Sequence, residues 1–478
     1  MHLKLPPPVL TVIGSLTTAG FEAYIVGGAV RDLLQQKDTT DWDFTTKATP
    51  EEIQKIFPDS FYDNHFGTVG ITGQHLLPVS SKAITKKWLA ANWLDQVYEI
   101  TTFRQEYGYS DKRHPDKIVW GKTLTEDLAR RDFTINAIAL KIHNPQSTIR
   151  NLSASTPIKT EVDIIDPYNG QVNLDQKLIR AVGDAKERFH EDALRMMRAI
   201  RLGAQLGFTI EPKTLTAIKQ HANLIIHISW ERIRDELLKI IASSYSADGI
   251  LLLHSAGLLE FILPELLETR NVPQAGHHIY DVWTHSLESL RHCPSTDPLV
   301  RLATLLHDIG KPQTFRRQGP RGITFYGHEV VGARLTNLIA QRLRLSTKQS
   351  QKLTTLVRWH MFTYNPEMTD ASIRRFIRRV GLENINDMLL LRVGDRKGGG
   401  SKATSWRLRQ LQERIGQQLY EPMSLKDMKV NGLDVMKTLK IEPGPKIGQI
   451  LNQLFEEILE DTSKNNRKYL ISRIKKLK

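Results

Sequence analysis

The chain has 478 residues, 25% of them charged and 40% hydrophobic, which describes a globular protein too long for one core and predicts two to four domains. A formal net charge of +14, with a pI near 9.6, favours an anionic partner, nucleic acid ahead of an acidic membrane. The single cysteine, Cys293, excludes an intramolecular disulfide or a cysteine-rich zinc site and fits a reducing cytoplasm. No apolar run approaches the ~20 residues that cross a bilayer, so no membrane partner is expected.

In chain order, the segment "VLTVIGSL" behind three prolines reads as the first helix of a domain rather than a signal peptide. Short β-rich runs ("AYIVGG", "DWDF", "FGTVGI", "VYEITTF", "FTINAIAL") then alternate with helical stretches such as "TPEEIQKIF", which predicts an α/β unit. Two insertions interrupt it, at 78–93 and 144–162, and the second, rich in Ser, Thr and Asn, reads as a loop. From Lys177 onward the pattern is helical, with breaks at "TRNVPQAGHHIYD" and "DRKGGGSKATSW" and a strongly basic end, "NRKYLISRIKKLK". There is no fixed-period repeat. These breaks divide the chain into expected domains at 1–145, 146–270 (helical), 271–400 (helical) and 401–478 (a basic helical tail).

In "YIVGGAVRDLLQQKDTTDWDF", Gly27 and Gly28 end an apolar strand and open a helix. Backbone N–H groups at such a turn bind phosphate, glycine allows close approach, and Arg31 adds a charge one turn in. On a strand, Asp41 and Asp43 share one face while Trp42 and Phe44 take the other. Two carboxylates side by side call for a cation between them, and two-metal phosphoryl transfer uses carboxylates that hold metals ~3.5–4 Å apart. In "VYEITTFR", Glu99 reads either as a third ligand or as a solvated strand residue. "LARRDFTINAIAL" sets Arg130, Arg131, Asp132 and Asn136 among apolar positions, as a salt-bridged terminus or as contacts to a nucleotide's sugar and phosphates. In "EDALRMMRAIRL", Asp192, Arg195, Arg198 and Arg201 recur every three residues on a helix whose Leu194, Met197 and Ile200 pack inward. An Asp–Arg pair there offers the acceptors and donors that read a base edge, or else forms intrahelical salt bridges.

Together, "GGAVRD", "DWD", "FGTVGI", "YEITTFR", "ARRDFTINA", "IRAVGDAKERFHEDALRMMRAIR" and "ISWERIRDELLKII" resemble the class II tRNA nucleotidyltransferases and bacterial poly(A) polymerases, of the polymerase β-like superfamily, over residues 10–265. The resemblance implies an α/β nucleotidyltransferase domain followed by mainly α-helical domains, acting on the tRNA 3′ end with CTP and ATP. It implies that Asp41 and Asp43 bind catalytic Mg²⁺ with Glu99 as third carboxylate, and that Gly28 and Arg31, with Gly27 beside them, hold the triphosphate. Arg131, Asp132 and Asn136 would hold the sugar region, and Asp192 and Arg195 would select C and then A, supported by Arg198 and Arg201. "TFRQEYGYSDKRHPDKIVW" resembles the family's flexible specificity loop, and "NHFGTVGI" its CCA-adding members. Poly(A) addition, or partial CC or A addition, are the alternatives within the family.

Further on lie His285, the pair His307–Asp308, His328, His360 and Asp395. Any one of these histidines reads first as a core residue, but an Asp buried beside a His in the apolar run "LATLLHDIGK" is costly unless paired or metal-bound. The set resembles the HD phosphohydrolase superfamily over 277–400. That resemblance implies His285, His307, Asp308 and Asp395 on a divalent metal (Mn, Ni or Fe), His328 and His360 suiting a second, and hydrolysis at RNA ends as a rival activity. The basic stretches "IRRFIRRVG" and "SRIKKLK" read as tRNA-phosphate contacts or as solvated helix faces.

Overall fold

In the computed structural model the described residues are 1–63, 67–76, 89, 91–107, 117–143, 156–274, 279–317, 322–422 and 424–477. The chain divides into two compact units, 1–236 with 251–261, and 237–250 with 262–478. Most of the insertion at 78–93, the first part of that at 144–162 and the middle of the expected specificity loop lie outside the described residues.

The first unit is built on an eight-stranded sheet in the order β1-β10-β9-β2-β3-β6-β5-β4. Its strands are β1 (His2–Leu5), β2 (Ala23–Val26), β3 (Trp42–Thr46), β4 (Phe61–Asp63), β5 (Thr68–Thr72), β6 (Val97–Thr102), β9 (Ala139–Ile142) and β10 (Ile158–Ile165). A separate hairpin, β7 (Arg104–Tyr107) and β8 (Lys117–Trp120), carries the two ends of the expected loop. Helix α1 (Pro7–Thr18) starts with proline at its first turn, where no N–H partner is needed, and buries Val9, Leu10, Ile13 and Leu16 in the core. Helix α2 (Gly28–Leu34) follows the glycine turn, and α3 (Pro50–Ile56) is fixed by a capping box between Thr49 and Glu52. Trp42 and Phe44 are buried in the same cluster, so period-two alternation turns Asp43 to the opposite face.

Three expectations change. The loop expected to 162 gives way to β10, whose Glu161 to Ile158 pair with β1, so residues 158–162 are sheet. The pairing partner, a four-residue strand at the chain start, has too little pattern of its own to announce itself. The helix expected through "EDALRMMRAIRL" is two helices, α5 (Ala185–Glu191) and α6 (Leu194–Leu206), after α4 (Leu124–Ala129). Asp192 sits at the break with φ −138° and ψ 105°, and its Oδ1 accepts from the Leu194 N–H at 3.0 Å. The expected inward face of α6 holds, with Leu194, Met197 and Ile200 buried. Helix α7 (Trp230–Ala242) begins in this unit, which holds its residues up to Glu236.

The second unit is helical among its described residues apart from one two-residue hairpin. Its main helices are α8 (Val282–His292), α9 (Pro298–Leu306), α10 (His328–Arg342), α11 (Thr347–Trp359), α12 (Asp370–Val380), α13 (Ile385–Gly398), α14 (Trp406–Gln418), α15 (Pro445–Glu460) and α16 (Arg467–Lys476). The third change is in α12, the "IRRFIRRV" stretch. Buried Arg374 donates to the Leu459 and Glu460 carbonyls at the end of α15 and to Gln418 Oε1 at 2.6 Å. Arg375 and Arg378 pair with Glu456, Arg375 also with Glu460, and Arg379 lies over the Trp359 ring. Arg374 closes the end of α15 while Arg375 and Arg378 pair with its acidic side chains, so these three arginines are engaged within the fold. No helix among the described residues is long and apolar enough to cross a membrane.

Candidate active site and a buried metal-ligand cluster

The register of the sheet assembles the carboxylates. Asp43 is the Cα partner of Val26 on one side and of Glu99 on the other, so Asp43 and Glu99 stand side by side on one face. Asp41 immediately precedes β3 and is exposed. Gly27, between β2 and α2, has φ 75°, and a Cβ there would lie 2.6 Å from Asp43 Oδ2 and 3.3 Å from Arg131 Nη1. Only glycine fits both the backbone conformation and that carboxylate. Burial pushes the Asp43 carboxyl up to about 6, with Asp41 and Glu99 adding to the rise and Arg131 and Arg198 opposing it. A carboxylate that holds its proton so near neutrality for want of positive charge, among other oxygen donors, suits a hard divalent cation such as Mg²⁺.

Asp132 is the hub of the opposite wall. Its Oδ2 accepts from Arg198 Nε at 2.7 Å, and its Oδ1 from the Phe133 N–H at 2.8 Å and Asn136 Nδ2 at 3.3 Å. Asn136 Oδ1 in turn accepts from Arg31 Nη1 at 3.0 Å. Burial alone would raise the Asp132 carboxyl, but Arg198 and Arg195 hold it down to about 2. Fully buried Asp127, on α4, pairs with both Arg130 (2.6 Å) and Arg131 (3.4 Å) and aims them at the cavity. Arg195 is held by Glu191 at 2.9 Å and by the Arg130 carbonyl at 3.1 Å.

Every residue assigned from the sequence to nucleotidyl transfer lines one cavity of about 660 Å³: Gly27, Gly28, Arg31, Asp41, Asp43, Glu99, Arg131, Asp132, Asn136, Asp192, Arg195, Arg198 and Arg201. Arg104, Gln205 and Arg232 line it too and were missed. The signal for Arg232 was present in "SWERIRDELL", a motif with no local chemistry of its own.

In the second unit, His285 on α8, His307 and Asp308 at the end of α9, His328 opening α10, His360 closing α11 and Asp395 on α13 converge. His285, His307 and Asp395 offer ligand atoms all within 4.8 Å of one another, as do Asp308, His328 and His360. Asp308 joins the two groups, with Oδ2 3.3 Å from His307 Nε2 and Oδ1 3.3 Å from His328 Nε2. The Nδ1 atoms of His307, His328 and His360 lie 2.7, 2.8 and 2.7 Å from the carbonyls of Thr304, Phe325 and Val357. A carbonyl only accepts, so each Nδ1 carries the proton and, in the neutral ring, each Nε2 lone pair faces the centre. Burial opposes charge on His307, yet Asp308 and Asp395 push it up to about 10, while burial lowers His360. Thus a proton holds the carboxylates together where a cation would do so better. Mixed imidazole and carboxylate donors of this kind suit a divalent transition metal. All six residues singled out from the sequence are brought together, and Lys311 joins them through Asp308 Oδ2 at 2.6 Å.

A nucleoside triphosphate-sized cavity with paired carboxylates under a glycine turn and a wall of arginines defines a nucleotidyltransferase. Residues 23–180 match the poly(A) polymerase head domain, 207–269 an RNA and SrmB-binding site of polymerase A, and 333–474 the tRNA nucleotidyltransferase domain 2. The chain is 31% identical to the CCA-adding enzyme of Streptococcus mutans over 486 residues, covering 100% of this chain and 99% of that one. It is 37% identical to the A-adding tRNA nucleotidyltransferase of Deinococcus radiodurans over 347 residues, 70% of this chain and 75% of that one. The crystal structure of the Bacillus stearothermophilus CCA-adding enzyme in complex with CTP superposes with a TM-score of 0.68 at 25% identity, over 99% of this chain and 98% of that one. The chain belongs to the tRNA nucleotidyltransferase and poly(A) polymerase family.

Proposed function

We propose that the protein adds C, C and A in turn to the 3′ end of tRNA, without a nucleic acid template. The 3′-hydroxyl oxygen attacks the α-phosphorus of CTP or ATP, the bond to the β-phosphate oxygen breaks, and pyrophosphate leaves with that electron pair. Asp41 and Asp43, with Glu99 alongside, would hold Mg²⁺, which when bound supplies positive charge to the reacting phosphate and to the attacking hydroxyl. Gly27 and Gly28 let the triphosphate approach the backbone, and Arg31 and Arg131 face its charge. Asp132, Asn136 and Arg198 form the wall for the sugar. Cytosine and adenine both present an amino donor beside a ring-nitrogen acceptor, and uracil and guanine present the reverse. An Asp192 acceptor beside an Arg195 donor therefore suits C and A alone.

What carries the reading is one observation: the carboxylates of β3 and β6 and the Asp192–Arg195 pair open on the same cavity. Sequencing the products from tRNA transcripts that end before CCA, after CC and after CCA tests it. Ordered addition of CCA followed by arrest is expected, and incorporation of ATP with CTP ignored would leave A addition or poly(A) tailing instead.

A second reading rests on the buried His/Asp cluster. We infer that it holds Mn²⁺, Ni²⁺ or Fe²⁺ and hydrolyses phosphate esters at RNA ends, within a helical segment at 271–400. His307, His328, His360, Asp308 and Asp395 line a cavity of about 740 Å³ together with Lys311, Arg392 and Arg396, enough room and positive charge for a terminal nucleotide phosphate.

A further inference from the structure

Asp192 does not stand free in the cavity. Arg232 on α7 reaches it with both terminal nitrogens, Nη2 to Oδ2 at 2.7 Å and Nη1 to Oδ1 at 3.3 Å. One turn further along α7, buried Glu236 places Oε2 2.8 Å from Nε of Arg201. Residues four apart share a helix face, so a single face of α7 holds both ends of the base-reading segment, Asp192 before α6 and Arg201 near its end. A planar guanidinium on a carboxylate by two parallel bonds fixes the plane of that carboxylate, which a single bond or a lysine does not. Asp192 Oδ1 also accepts from the Leu194 N–H, so the lone pair left for a base is the one on Oδ2, with its direction set. An amino group must meet that lone pair whether it sits on the small ring of cytosine or the larger one of adenine.

We propose that Arg232 is a positioning residue that sets the balance between CTP and ATP by orienting the Asp192 carboxylate, with Glu236 anchoring the far end of α6 through Arg201. It rests on the reading that Asp192 and Arg195 select the base. Arg232 acts through Asp192 because both of its terminal nitrogens are engaged there.

The test is steady-state kinetics of CTP addition to a transcript lacking CCA and of ATP addition to one ending in CC. The variants are Arg232→Met, Arg232→Lys, Asp192→Asn and the double Asp192→Asn, Arg232→Met, with thermal midpoints as a folding control. Arg232→Met is expected to shift the CTP-to-ATP ratio of kcat/KM by about tenfold, as a lost bidentate contact does, and Arg232→Lys to recover only part of it. The double variant should be no worse than Asp192→Asn alone, since the two residues act as one unit. Should Arg232→Met fail to fold, Arg232→Lys reads the same ratio. Equal losses for both nucleotides with the ratio unchanged, or additive losses in the double variant, would overturn the proposal while leaving base selection by Asp192 standing. An unchanged ratio in Asp192→Asn would instead overturn base selection itself, and the role of Arg232 with it.

Discussion

The two clusters solve the problem of gathering negative charge in opposite ways. The carboxylates of the head stand on a sheet face beside an open cavity, with exposed Asp41 and Glu99 flanking half-buried Asp43. Their counter-charges are arginines that are themselves tied to further acids, Arg131 to Asp127 and Arg198 to Asp132. In the helical unit, His285, His307, Asp308 and His360 are all but inaccessible, and the same few atoms serve as both ligands and counter-charges. An open site with oxygen donors exchanges its cation along with substrate, whereas a buried site of nitrogen and oxygen donors retains one. The difference fits the proposed tasks, a triphosphate that enters and pyrophosphate that leaves in the head, and an ester group brought to a bound ion in the helical unit.

The largest effect should separate the two. Asp41→Ala, Asp43→Ala is expected to cut nucleotide addition by at least about a thousandfold, the scale of losing metal-borne charge stabilisation, while hydrolysis of a 2′,3′-cyclic phosphate is untouched. Asp308→Ala should do the reverse. Radiolabelled CTP incorporation and phosphate release on the same preparations measure both, and a joint loss in either variant would break the division of labour.

Proton competition should sharpen the contrast. Asp43 is raised to about 6, so in the cation-free protein its contribution to stability is fully present below its unfolded pKa and is lost as pH rises through 6. Mg²⁺ should therefore raise the melting temperature well above pH 6 and little below pH 5. His307, raised to about 10, contributes stability that is complete below about 6.5 and disappears as pH rises through 10. Binding of Mn²⁺ or Ni²⁺ to the helical cluster must displace that proton across the whole neutral range, so affinity there should still climb between pH 6 and 8. Calorimetric titration in buffers of different ionisation enthalpy counts the proton, and a pH-independent affinity would remove His307 from the site.

The smallest effects concern close approach. Gly27→Ala must place a Cβ against Asp43 Oδ2 at φ 75°, and is expected to cost ~1–2 kcal/mol of stability and to weaken nucleotide addition alone. Gly310→Ala, whose Cβ would run into the His328 carbonyl oxygen, should disturb the His/Asp cluster and leave nucleotide addition unchanged. Urea denaturation and the two activity assays read these changes.

Much of the site was legible along the chain because its chemistry is carried by short, dense motifs. The alternation of Asp41, Trp42, Asp43 and Phe44 follows from strand geometry, and buried Trp42 and Phe44 show the same alternation in the folded unit. His307 and Asp308 stand out because a charged pair has no place in an apolar helix without a partner. The partners within the basic run of α12 were not legible for the converse reason. Net charge is a local quantity, whereas Arg374 is satisfied by the Leu459 carbonyl 85 positions away.

The sequence by itself determined most of the element types, the residue types suited to catalysis and to metal binding, and the family. Backbone propensity, side-chain period and donor type are properties of a few neighbouring residues, and they survive without the fold. Only the tertiary structure decided that β1 pairs with β10, that the helix breaks at Asp192, and that Arg232 and Glu236 hold Asp192 at that break and Arg201 beyond it. Those facts depend on which distant groups meet. A buried carboxylate or guanidinium takes whichever partner the packing of helices and sheet brings within 3 Å, and no local pattern encodes that partner.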